Sequence, residues 1–515
     1  MQSSASASPI ASIEPRLRSF LPADLYATVW LDPSPASLMR VFEHLRTLQR
    51  ILGDYISRQV LEALPQPGEI RFAWQDGTLM FTDLAGFTPL LEANAAKGAA
   101  GARTLLQVLN SYFAGMIEVI SRSGGNVLEF TGDAMLAQFP TLRRRNEAAQ
   151  AIRAGLRMQR TMANFAKIET GQGEVSLGMR VGLHSGRFLT ADVGTPRRMD
   201  HVLLGHAVRE AKRAEGAGKV GRVCLTPTVL ARVGDEFRSE PGNEECSLVI
   251  DDLTTDQLGD FELSTFKRMT TSTLMDRSVE GLMESIVEGL TRVESMASYL
   301  PASILRLLVE STTRREIAPD FPIVSVMFIN LIGLSEVVDD IAAGAETSLI
   351  SAFSRIFTLI NAATESRGGV LKKVTYHLSG SDIMVIFGAP ESHTDDAVRA
   401  ADAALAIEAI VAAANVAPIG GKDIAMTCKI GIATGPVFSG EIGEPRGRRE
   451  FNVLGDTVNT AARLMSKAGV NQVLITEAVQ RQLGDRYATE AMGTIPLKGK
   501  SVPINLFLLT PRAAK

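Results

Sequence analysis

Cysteine is scarce in this chain. Cys224, Cys246 and Cys428 are the only three among 515 residues, with no CxxC pair and no histidine at metal-ligand spacing. That excludes a disulfide scaffold and a zinc ribbon, and it fits a reducing compartment, so a cytoplasmic location is expected. Charge of one sign is also missing: 53 basic residues face 57 acidic ones, net −4, with no Lys/Arg block able to track a phosphodiester backbone. No nucleic-acid partner is expected. Nor is there a long apolar run. The richest stretch, 400–419, is interrupted by Asp402 and Glu408 and contains Pro418, so it reads as an alanine-rich packed helix and not as a membrane span of roughly 20 residues. The opening MQSSASASPIASIEP has neither a basic n-region nor an apolar h-region and reads as a short flexible tail, not a signal peptide. What is present is ordinary: 45 % hydrophobic and 21 % charged residues supply ample core. The length is about three times that of a domain of ~150 residues, so two to four domains are expected.

An internal repeat sets the organisation. MFTDLAGFT (Met80 to Thr88) recurs as MFINLIGLS (Met327 to Ser335), an offset of 330 − 83 = 247. Gly124-Gly125 pairs with Gly368-Gly369 at 244, Gly182 with Gly431 at 249, and Gly205 with Gly455 at 250. Ordered landmarks at nearly constant offset indicate a duplicated unit. Val41, Leu45, Leu48, Leu52 and Tyr55 precede the first copy at helical spacing, and Val279, Leu282, Ile286, Leu290 and Val293 precede the second. These read either as helices of their own domain or as a connector that sets the geometry of the pair. The expected organisation is a tail and helical segment over 1–67, a first domain over 68–267, a helical linker over 268–319 and a second domain over 320–515. Within a copy the order β-α-β-β-α-β predicts an α+β, ferredoxin-like sandwich.

Chemistry concentrates in the first copy. Asp83 ends a strand before a glycine turn, and Asp133 sits at the tip of the neighbouring hairpin, so adjacent strand ends could bring two carboxylates to one point. Hard oxygen donors suit Mg²⁺, and such a pair could hold two ions about 4 Å apart, the arrangement used in phosphoryl chemistry. Leu84-Ala85-Gly86-Phe87-Thr88 turns into a helix whose free N–H groups suit a triphosphate. Two turn aspartates with capping roles remain the plain alternative.

FTDLAGFT, GGNVLEFTGDAMLAQF, VGLHSG and FNVLGDTVNTAARL resemble the catalytic domain of class III nucleotide cyclases. The resemblance covers about residues 70–265 and 320–510. LKKVTYHLSGSDIMVIFG is similar to the soluble adenylyl cyclases that carry two catalytic domains in one chain. The resemblance implies two cyclase domains paired within one chain, with ATP as the partner, and a monomer is expected. It implies conversion of ATP to 3′,5′-cyclic AMP and pyrophosphate with two Mg²⁺ (or Mn²⁺) on Asp83, Asp133 and the Leu84 carbonyl. The copies differ in a complementary way: the second has Asn330 and Ser381 at the aspartate positions but keeps Asn459 and Arg463, whereas the first has Arg209 at the Asn position and keeps Arg213. By resemblance Asn459 orients the ribose, Arg463 neutralises the α-phosphoryl oxygens, and Arg180 holds terminal phosphates, unless Arg180 is a solvated strand-edge charge.

Base selection is expected in the second copy. By resemblance Lys373 faces the adenine N1 edge, with Asn452 and Val453 on the other wall. Lys372 could be the true partner instead, or the two lysines could form a plain surface pair, and Lys498 and Lys500 are equally placed near the triphosphate. An ammonium donates to adenine N1 but meets an N–H on guanine, which favours ATP. Relatives activated by bicarbonate hold the anion at positions that are Glu129 and Lys212 here. Glu129 is the wrong sign, could pair with Lys212, or could be solvated on a strand face, and in each case weak bicarbonate sensitivity is expected. Two other functions stay open: a nucleotide-binding regulatory protein without turnover, and a guanylate cyclase.

Overall fold

The computed structural model describes residues 10–511 except 142–144, 171–172, 260–275, 312–316, 377–378, 415, 445–446 and 496–502. Lys498 and Lys500 lie outside the described residues.

Each copy is built on a sheet whose central strand ends at the Asp83 or Asn330 turn. In the first copy, Arg71–Ala85 lies between Ala134–Pro140 and Gly178–Thr195, with Asn126–Thr131 outside. In the second, Ile323–Ile332 lies between Ser381–Phe387 and Thr427–Pro436, with Val370–Tyr376 outside. This is the strand order of the ferredoxin-like sandwich expected from sequence. The helix Gly98–Arg122 covers the first sheet with Leu105, Leu109, Phe113, Met116 and Ile120, all fully buried or nearly so. Glu346–Glu365 does the same in the second with Leu349, Phe353, Ile356 and Ile360. One glycine landmark has a direct cause. A Cβ on Gly182 would stand 2.1 Å from the Glu215 backbone N, and one on Gly431 would stand 2.3 Å from that of Met465. In both copies a helix backbone lies against the strand there, and only glycine leaves room.

The copies exchange arms. Gly178–Thr195 overshoots its sheet and folds back as Arg198–Leu204, pairing Leu189 with Leu204, and Leu189, Ala191, Val193 and Val202 are buried in the second copy's core. Reciprocally, Phe438–Gly443 pairs with Arg449–Leu454, and Phe438, Ile442 and Leu454 are buried in the first copy's core. Each buried aliphatic or aromatic side chain of this kind stabilises by about 1.5–3 kcal/mol, so the arms tie pairing of the copies to the integrity of both cores.

A helical collar lies across the pair. Pro35–Tyr55 packs Leu38, Val41, Leu45, Leu48 and Leu52 on Leu282, Ile286, Leu290 and Val293 of Val279–Ala297. Arg16 grips Glu294 through two hydrogen bonds of 2.8 and 2.5 Å. The helices read from sequence thus pack on one another and on the outer face of the second sheet, through Val324, Val326 and Ile386. The opening segment differs from the expected flexible tail: Ile10, Ile13 and Leu17 are buried in this collar, because their apolar side chains close its end.

Candidate active site

Asp83 and Asp133 meet as the sequence implied. Thr82 pairs with Met135 across one ladder and Asp83 with Arg180 across the other, which sets Asp83 beside the tip of the hairpin formed by Asn126–Thr131 and Ala134–Pro140, where Gly132 (φ 69°) leads into Asp133. Burial, then the charge of Asp83, pushes the Asp133 carboxyl up to about 7. Beneath them the Tyr112 phenol, fully buried, is held well above its ordinary value by burial and by both carboxylates. Two facing carboxylates, one of them resisting ionisation, suit a hard divalent cation that would supply the missing charge. Among the described residues no group of three or more His, Cys, Asp or Glu forms a metal cage, so further ligands would come from the backbone, water or a ligand's own oxygens.

The turn after Asp83 is open to an anion. Gly86 adopts φ 88°, and a Cβ there would stand 2.4 Å from the Ser176 carbonyl oxygen, so the tight turn requires glycine. The helix Phe87–Ala95 that follows has no side-chain cap on its N-terminus, leaving N–H groups unsatisfied. Leu84 and Phe87 bury their side chains in the first core and can offer only backbone, while Thr88 is exposed.

The second copy closes over this turn. Asn452 Nδ2 donates to the Gly132 carbonyl at 3.0 Å, next to Asp133. A Cβ on Gly455, which opens the helix Asp456–Lys467, would stand 3.6 Å from Leu91 on the first copy's turn helix. Asn459 and Arg463 follow on that helix, one turn apart. Asn459 is exposed and Arg463 half-buried, and among the described residues neither side chain has a hydrogen-bond or ion-pair partner.

Other expected site residues are placed differently. Arg180 forms an ion pair with Asp83 and lies 2.9 Å from the buried Glu215, so it flanks the carboxylates and is not a solvated edge charge. Lys373 is no surface residue: its ammonium lies 3.3 Å from Glu450 and 3.9 Å from Glu129. Lys372 donates to Asn452 Oδ1 and lies 3.6 Å from Glu450. Val453 does not share a wall with Asn452. Strand alternation turns its side chain into the collar core.

Of the alternatives for Glu129, pairing with Lys212 and exposure to solvent, neither is seen. Lys212 pairs with Glu215, three residues along its own helix, at 2.7 Å and sits 4.4 Å from the Phe81 ring centroid. Glu129 is buried and accepts from Thr131 at 2.9 Å and, across the interface, from Thr375 at 2.8 Å. Local geometry wins, because an i,i+3 carboxylate is already within reach. The degenerate counterpart site is filled by protein. Asp339 accepts from the His206 N–H at 2.6 Å, Arg209 donates to the Ser335 carbonyl at 3.2 Å, and Asn330 donates to Asp382 at 2.9 Å and to the Ser379 carbonyl at 2.7 Å. Arg213 is taken up by Glu210 at 2.6 Å.

Sequence reasoning missed Glu215, Glu450 and Asp339. Glu450 had a signal, since it lies two residues from Asn452 on one strand and so shares its face. Glu215 had one in its spacing from Lys212. Asp339 lies in a short 3₁₀ turn, Val338–Asp340, and offers no periodicity to read.

Comparison with known proteins agrees with this geometry. The family model described as "Adenylate and Guanylate cyclase catalytic domain" matches residues 73–247 and again 317–510. Rabbit (Oryctolagus cuniculus) adenylate cyclase type 10 is 25 % identical over 444 residues, covering 83 % of this chain and 25 % of the relative. An adenylate cyclase of Mycobacterium tuberculosis is 31 % identical over 220 residues, 42 % of this chain and 46 % of the relative. The chain therefore spans about a quarter of the length of the type 10 relatives. A solved class III adenylyl cyclase-like ATP-binding protein from Pseudomonas aeruginosa shares the fold over 87 % of this chain and 95 % of its own, at a TM-score of 0.54 and 14 % identity.

Proposed function

Since the chain belongs to the adenylate and guanylate cyclase catalytic domain family, we propose that it is an adenylate cyclase with one composite site, converting ATP to 3′,5′-cyclic AMP and pyrophosphate. The observation that carries this reading is the approach of the second copy's Asn452 and Gly455 to the first copy's Gly132 and Leu91. It supports one site with carboxylates from the first copy and, from the second, Asn459 and Arg463, whose side chains have no partner among the described residues.

Asp83 and Asp133, with the Leu84 carbonyl, would hold Mg²⁺ or Mn²⁺, which when bound would supply the charge that lowers the pKa of the ribose 3′-hydroxyl and offsets that of the triphosphate. The Leu84-to-Thr88 turn offers backbone N–H groups to the phosphates, and Arg180 lies beside them. Asn459 orients the ribose. Arg463 faces the charge that grows on the α-phosphoryl oxygens as the 3′-oxygen attacks and pyrophosphate leaves, a contribution of about 3–4 kcal/mol for such a group. The buried lysine pair favours adenine, since an ammonium donates only. The two domains pair within one chain, so a monomer suffices.

Incubation of the purified chain with ATP and Mg²⁺ or Mn²⁺, with cyclic AMP as readout, tests this. Product from ATP supports it. Preferential product from GTP would make it a guanylate cyclase, and ATP binding without turnover would make it a regulatory nucleotide-binding protein.

A further inference from the structure

Resting on the cation site proposed above, we infer that Glu215 is a positioning residue that offers Arg180 a second carboxylate, so that Arg180 stands in for a cation on Asp83 and withdraws to Glu215 when a divalent ion takes that place. The fold sets up this choice. Arg180 lies directly opposite Asp83 in the antiparallel ladder, and two residues along its strand, on the same face, comes Gly182. With no side chain at Gly182, the helix His206–Ala217 lies on the strand there, where a Cβ would stand only 2.1 Å from the Glu215 backbone N. Arg180 is thereby held between a carboxylate on the neighbouring strand and one on the overlying helix.

The two carboxylates are not used alike. One guanidinium nitrogen of Arg180 donates to Asp83 Oδ2 and lies 2.9 Å from Glu215 Oε1. Glu215 is 1 % exposed, and Lys212 donates to its Oε2 at 2.7 Å, yet among the described residues its Oε1 accepts no hydrogen bond. A buried carboxylate oxygen without a donor is costly, and a turn of the Arg180 guanidinium toward Glu215 satisfies it as Asp83 is freed. The second copy supplies an internal comparison. Lys429 lies opposite Asn330 in the matching ladder, and the helix residue whose backbone N a Cβ on Gly431 would meet is Met465. The copy without the metal carboxylates keeps a basic residue at this place but lacks the counterpart of Glu215 as well. A purely structural carboxylate on this helix would not be expected to disappear together with the aspartates.

The test is Mn²⁺ binding to the nucleotide-free full chain, read from the electron paramagnetic resonance signal of the free ion, for wild type, Arg180→Met, Glu215→Gln and the double variant. Arg180→Met should bind Mn²⁺ more tightly, with Kd lower by about fivefold, the upper end for a half-exposed ion pair, because no side-chain cation then competes for Asp83. Damage to the fold would loosen binding instead. Glu215→Gln should raise Kd by about tenfold, the low end for a hydrogen bond to a charged group, since Arg180 then has Asp83 alone. In the Arg180→Met background, Glu215→Gln should change Kd by less than about threefold, because residues that act through one another are not additive. Weaker or unchanged Mn²⁺ binding in Arg180→Met, or a Glu215→Gln effect as large without Arg180 as with it, overturns the inference. No nucleotide is present in these titrations. Binding in the stated order by a chain that forms no cyclic AMP would therefore overturn the proposed function and leave the inference standing.

Discussion

Replacing Asp133 by asparagine should stabilise the metal-free protein while abolishing its activity. The Asp133 carboxyl stands at about 7 against an ordinary 3.8, from burial first and Asp83 second. A raised carboxyl pKa means that the folded state holds its proton longer than the unfolded chain does. The penalty is therefore absent below about pH 4, grows as pH rises toward 7, and is fully present above it. A displacement of that size corresponds to a ceiling of about 4 kcal/mol, and partial solvation at the hairpin tip brings the expected figure nearer to about 2 kcal/mol. Asparagine keeps the shape and removes the charge. Thermal unfolding of the metal-free protein at pH 4 and pH 8.5 checks this: the two proteins should differ little at pH 4, and the variant should melt about 2 °C higher at pH 8.5. Adding Mn²⁺ should raise the wild-type midpoint and leave the variant nearly unmoved, and cyclase activity of the variant should fall by at least about 10²-fold. A variant that melts lower than wild type at pH 8.5 in EDTA, or that gains as much from Mn²⁺, would refute the argument that the buried Asp133 carboxylate beside Asp83 defines the cation site.

Asp83→Asn should cost at least about 10²-fold in turnover, whereas Asn330→Ala, which strips a hydrogen bond from Asp382, should lower stability by about 1–3 kcal/mol and leave kcat of the folded fraction nearly intact; steady-state kinetics beside thermal melts separate the two. Halves divided between residues 259 and 276 should each be inactive alone and regain cyclic AMP formation when coexpressed, since Asp83 and Arg463 belong to different halves; near-normal turnover by the first half alone would exclude a shared site. Bicarbonate at constant pH should activate less than about twofold, under about 0.4 kcal/mol of coupling, because Lys212 is taken by Glu215 and the other position is the buried carboxyl of Glu129, held by Thr131 and Thr375; strong activation lost in Lys212→Ala would show that the pocket accepts the anion.

The parts of the molecule legible in sequence are those with a local physical cause. Gly182 and Gly431 were landmarks because helix backbones touch those strands, and Asp83 and Asp133 could be placed together because strand ends and hairpin tips are local features. The arms were not legible. Phe438 to Gly443 is buried at every position although it carries Ser439 and Glu441, so its pattern reveals neither that the strand is covered nor by which copy. Of the two readings of Glu129, paired with Lys212 or solvated, neither holds, since Lys212 meets Glu215 three residues along its own helix and Glu129 is buried. Asn452 and Val453 were placed on one wall although adjacent strand residues face opposite ways.

The arms also explain how one of two sites could lose its chemistry while the pair persists. Cohesion resides in apolar side chains, Leu189, Val193 and Val202 on one side and Phe438, Ile442 and Leu454 on the other, none of which belongs to either set of polar site residues. Replacing an aspartate by Asn330 therefore leaves the interface intact, provided that the new polar group is satisfied. It is, through Asp382 and Ser379, and the facing Arg209 and the His206 N–H find Ser335 and Asp339. The catalytic half-sites differ in this respect. Asn459 and Arg463 have no side-chain partner among the described residues, so this half-site, unlike its counterpart, is not closed by protein groups among those residues.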